Sequence, residues 1–60
     1  MVSGKPLSPE EKAFIRSNHQ QFLNGTIASM LAENFADYNG GQRSNVTVKR
    51  FLRAEGLADD

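Results

Sequence analysis

Four of the chain's seven basic residues, Arg43, Lys49, Arg50 and Arg53, fall in the stretch "GGQRSNVTVKRFLRAEGL", Gly40 to Leu57. Clustered arginine and lysine are what neutralising a run of phosphates requires, and each neutralised phosphate releases a counterion. Ser44 and the backbone N–H groups beside it could help on phosphate, Asn45 belongs to the same candidate DNA-binding surface, and Val46 or Thr47 could meet a thymine methyl. The expected division is Arg43 and Lys49 on phosphates, with Arg50 and Arg53 reaching guanine edges or phosphates. The plainer alternative is a solvated helix face that touches nothing.

Other groups with chemical potential have simpler explanations. Glu10 and Glu11 form a carboxylate pair, but both lie where a helix start wants acids. His19 is the single histidine, and there is no cysteine, so thiolate metal sites and disulfides are excluded and a zinc site is not expected. Gly40-Gly41 lacks the Gly-Lys-Ser/Thr ending of a phosphate loop. Phe35 and Tyr38 read as core aromatics rather than a ligand pocket. No enzyme, metal or cofactor is expected.

Net charge is zero, yet its distribution is uneven. Met1–Tyr38 holds three basic and four acidic residues, Asn39–Ala54 four basic and none acidic, and Glu55–Asp60 three acidic. At 60 residues the chain is one small domain, whose folding buries only about 60% of the unfolded surface. No apolar run nears the roughly 18 residues of a membrane span, and "MVSGKPLSPEE" lacks the apolar region of a secretory signal. The expectation is an intracellular protein of the cytoplasm, nucleoid or nucleus.

The elements that must position the basic residues are three helices. "LSPEEKAFIRSNH" offers Ser8 as N-cap, Pro9 at the first helical position and Glu11 to close a capping box, with an end near His19. "LNGTIASMLAENFADY" offers Asn24 as N-cap, Leu23 as a staple onto Ala28, and a stripe of Ile27, Leu31 and Phe35. It runs on to Tyr38 or gives way to an extended loop before the breaker "NGG". "NVTVKRF" alternates like a strand, but Gly56 and Leu57 fit a Schellman stop, with Leu57 returning to Leu52. A helix over Val46–Glu55, capped by Ser44 or Asn45, is therefore expected. At about 100° per residue its core side holds Val48, Leu52, Phe51 and Glu55. Val46, Arg50 and Arg53 lie opposite, with Lys49 on the flank. The predicted core is Phe14, Ile15, Ile27, Leu31, Val48, Phe51 and Leu52.

This order of parts resembles the trihelical homeodomain-like and Myb-like helix-turn-helix DNA-binding modules. The residues carrying the likeness are Leu7, Ser8, Glu10, Glu11, Phe14, Ile15, Asn24, Ile27, Ala28 and Leu31, together with the basic "RSNVTVKRFLRAEGL". The resemblance covers roughly Leu7 to Leu57. It implies an all-α, small three-helix bundle in a helix-turn-helix arrangement over residues 7–57, with a flexible arm over 1–6 and a tail over 58–60. It also implies double-stranded DNA binding by the third helix in the major groove, in a transcriptional regulator or a module of a larger or mobile-element protein. A second copy or the domains of a parent protein remain open as further partners. The rival expectation is a helical protein-interaction module, docking through Phe22, Leu23 and Met30 without nucleic acid.

Overall fold

The computed structural model describes residues 6–57, and these form four helices and no strand. They are α1 (Pro9–Asn18), α2 (Asn24–Asn34), α3 (Ala36–Asn39) and α4 (Asn45–Ala54). The arm expected over 1–6 lies, Pro6 apart, outside the described residues, as does the tail over 58–60. The chain is a small all-helical bundle: three long helices are present as expected, and the one-turn α3 is an addition.

Local sequence accounts for where α1 begins. Ser8 Oγ accepts from the Glu11 N–H at 3.2 Å, and Glu11 Oε1 accepts from the Ser8 N–H at 3.0 Å, which completes the capping box. At the far end Asn18 Nδ2 donates to the Phe14 carbonyl at 2.8 Å, and the His19 N–H closes the last turn on the Ile15 carbonyl at 2.9 Å.

The start of α2 differs from expectation. Leu23 is its N-cap and Asn24 its first helical residue, with no side-chain cap bond. Leu23 is 80% exposed, so it does not staple onto the buried Ala28. The region after Asn34 is neither a longer α2 nor an open loop. Phe35, at φ −120° and ψ 31°, breaks the helix, and α3 restarts at once. The break turns Phe35 edge-on to Phe14, at 5.9 Å between ring centroids and 78° between planes. Edge-to-face aromatic pairs contribute beyond their buried area, which offsets interrupting the helix.

In α4 the alternating valines are helical. Ser44 is the N-cap, and its Oγ accepts from the Thr47 N–H at a long 3.4 Å. The stop is the Schellman motif: Gly56 sits at φ +75°, its N–H bonds Arg53, and the Leu57 N–H bonds the Leu52 carbonyl at 2.8 Å.

The core lies between α1, α2 and α4 and consists of Ile15, Ile27, Ala28, Leu31, Val48 and Leu52. Phe14, Phe51, Leu7 and Phe35 pack partly buried against it. Five of the seven predicted core residues are thus fully enclosed, and Phe14 and Phe51 form its margin. No helix among the described residues is long and apolar enough to cross a membrane.

Candidate nucleic-acid interface on α4

Packing on Val48 and Leu52, 0% and 4% exposed, fixes the rotation of α4 about its own axis. The opposite face then carries Val46, Lys49, Arg50 and Arg53, all exposed and spaced at i, i+3, i+4 and i+7. Residues at that spacing form one stripe along a helix. Val46 is 52% exposed on the first turn. Among the described residues the side chains of Lys49 and Arg50 make no hydrogen bond or ion pair, and α4 contains no acid. Glu55, which follows it, is held by Arg16 through Nε at 3.2 Å and Nη2 at 3.1 Å, with the guanidinium 5.3 Å from the Phe51 ring centroid.

Ser44, Asn45 and Thr47 surround the α4 N-terminus. Ser44 and Asn45 are exposed and Thr47 is half-buried. The two hydroxyls lie 3.4 Å apart, a contact as long as the cap bond itself. Bonds this long are weak, so both hydroxyls retain capacity for another partner.

Arg43 stands apart from the stripe. Its side chain is 4% exposed and folds inward onto Glu11, which is fully buried. Arg43 Nη2 donates to Glu11 Oε1 at 2.7 Å and Nε donates to Oε2 at 2.8 Å, a two-pronged pairing. Nη2 also reaches the Pro6 carbonyl at 3.3 Å, and the guanidinium lies 6.0 Å from the Tyr38 ring centroid. Tyr38 Oη donates to the same Pro6 carbonyl at 2.7 Å. The side chain expected to meet phosphate is therefore turned inward, with Nε and Nη2 committed to a buried carboxylate.

Asn39, 7% exposed, completes this cluster. Its Nδ2 donates to Glu11 Oε2 at 2.8 Å and to the Leu31 carbonyl at 2.9 Å, while its Oδ1 accepts from the Gly41 N–H at 2.8 Å. No buried side-chain polar atom among the described residues lacks a partner. Burial pushes the Glu11 carboxyl up, but the Arg43 hydrogen bond, those from Ser8 and Asn39, and the Arg43 charge outweigh it. The result is a pKa lowered from 4.5 to about 2. The hydrogen bond to Glu11 raises Arg43 above its ordinary value, against burial.

Sequence reasoning absorbed Glu11 into the capping box and missed its other partners. Asn39 and Arg43 lie 28 and 32 positions away, and no periodicity or cap pattern spans that distance. His19 sits at the end of α1, and no group of three or more metal-ligating side chains converges among the described residues.

No protein-family model matches the chain, and neither a curated protein nor a solved structure gives a match.

Proposed function

We propose that this chain binds double-stranded DNA through the outward face of α4, laid in the major groove as in the helix-turn-helix modules it resembles. The observation that carries the reading is the exposed stripe of Val46, Lys49, Arg50 and Arg53 on a helix that contains no acid. An α-helix fits the major groove, and cations along its outer face meet phosphates at the rims and base edges at the floor. Lys49 on the flank holds phosphate, while Arg50 and Arg53 point toward the bases. Ser44, Asn45, Thr47 and the N–H groups of the first turn assist on the phosphate side. Arg43 is not part of the contact surface. Such a module serves a transcriptional regulator or a larger DNA-acting protein within the cell.

Fluorescence anisotropy with a labelled random duplex tests this. Affinity should fall steeply between low and moderate salt, and Lys49→Ala should lower the log–log slope by about 0.9, one released counterion. Binding that ignores salt, or no binding at all, contradicts it.

One observation supports a second reading. Phe22 and Leu23, 38% and 80% exposed, put apolar surface at the α1–α2 turn. In this reading the domain docks a protein there, with an affinity that barely responds to salt.

A further inference from the structure

The cluster around Glu11 joins three separate segments through one carboxylate. Oε1 takes the Ser8 N–H at the start of α1, and Oε2 takes Asn39 at the end of α3. Both oxygens take Arg43, the residue before the α4 N-cap. Between Asn39 and Ser44 the chain passes through Gly40 and Gly41, at φ +71° and +76°. Two successive glycines make an elbow that is flexible in itself, and it is pinned on the α3 side by the Gly41 N–H donating to Asn39 Oδ1 at 2.8 Å. Packing of Val48 and Leu52 in the core holds the body of α4, and the tether of Arg43, one residue before Ser44, holds its N-terminal end. A guanidinium bonded through two nitrogens to two carboxylate oxygens resists rotation as well as displacement.

We propose that Glu11 and Arg43 are positioning residues for the α4 surface. They fix the position of the α4 N-terminal end, and with it the angle at which Val46, Lys49, Arg50 and Arg53 meet DNA, while Arg43 itself touches no phosphate. The inference rests on the DNA reading above. Base contacts demand placement within roughly 0.5 Å and 10–20°, whereas attraction to phosphates tolerates a shifted helix. Loosening the tether thus lowers discrimination between sites while leaving general affinity intact.

Two variants test this. Arg43→Lys keeps the charge but replaces a planar fork by a point charge, and Glu11→Gln keeps the shape without the charge. A duplex enriched from a random pool by the wild-type chain is compared with a scrambled duplex of the same composition. Both variants should lose roughly tenfold of the preference for the enriched duplex, the scale of one misplaced base contact. Affinity for the scrambled duplex should stay at the wild-type value. Undiminished preference in variants that are fully helical by circular dichroism overturns the proposal, since the pair then serves stability alone.

A wild-type measurement covers variants that fail to fold. The Arg43 Hε resonance should keep its free-state position when the chain is saturated with the enriched duplex, and should exchange more slowly than that of Arg50. Its displacement on binding overturns the proposal. A wild-type chain that binds duplexes but enriches none overturns the positioning role and leaves the DNA reading standing. A chain that binds no duplex overturns both.

Discussion

Among the described residues two ion pairs tie the ends of α4 to α1, and their surroundings make them different devices. Arg43 and Glu11 meet just before α4 with side chains 4% and 0% exposed. Arg16 and Glu55 meet just after it, with side chains 48% and 36% exposed. Water and salt screen the second pair, and it must hold two long side chains in one geometry. The first is desolvated, so each partner depends on the other, and Glu11 needs its hydrogen bonds from Ser8 and Asn39 as well. The same pairing chemistry therefore yields a structural joint at one end and a weak clasp at the other. It also decides which cations remain for a partner: Arg43 is consumed, whereas Lys49 and Arg50 are not.

Removing one member of each pair should expose the contrast most strongly. Glu11→Ala leaves the Arg43 charge buried without its partner and should cost about 3–5 kcal/mol in urea unfolding followed by circular dichroism. In a domain this small, that is most of the total stability. A loss below about 1 kcal/mol would place this pair in the same class as the exposed one.

Acid should separate the pairs next. The folded-state pKa of Glu11, about 2, lies below its ordinary 4.5, so between these values the unfolded chain binds more protons. The stability Glu11 contributes is thus complete above about pH 4.5 and is lost as pH falls toward 2. At neutral pH the shift corresponds to about 3 kcal/mol. The acid limb of the unfolding curve should flatten in Glu11→Gln. Identical pH profiles for the two proteins would mean that other carboxylates govern acid unfolding.

Ser8→Ala sharpens the comparison by removing the hydroxyl while the backbone N–H at that position can still donate to Glu11. The cost should be about 0.5–2 kcal/mol, smaller than that of Glu11→Ala, and DNA affinity should not change. An unaltered melting temperature would show that the hydroxyl contributes nothing to the start of α1. Arg16→Ala should have the smallest effect, about 0.2–1 kcal/mol, and it should fade at high salt. A larger, salt-independent loss would shift weight onto the contact between Arg16 and the Phe51 ring.

Local signals made much of this fold legible. Ser8, Pro9 and Glu11 mark the start of α1, Gly56 and Leu57 mark the end of α4, and the apolar spacing of Ile27, Leu31, Val48 and Leu52 identifies the buried faces. The break at Phe35 was not legible, because "AENFADY" contains no glycine or proline. It depends on Phe35 packing on Phe14 and on Asn39 reaching Glu11, both long-range contacts. At Leu23 the opposite holds: the local pattern suggests a staple, but the turn leaves its side chain outside. In the basic stretch, helical periodicity places Val46, Arg50 and Arg53 opposite the core and Lys49 on the flank, and all four are exposed. It could not describe Arg43, which precedes the helix and whose direction is set by a carboxylate 32 positions earlier.

The central claim is that the exposed face of α4 is where this chain meets DNA. Backbone amide chemical shifts, followed by NMR as random duplex is added at low salt, test it most directly. The largest changes should run from Ser44 to Arg53, concentrated at Val46, Lys49, Arg50 and Arg53, with Phe22 and Leu23 unmoved. A spectrum that does not respond to duplex, or one whose changes centre on Gln21 to Asn24, would contradict it.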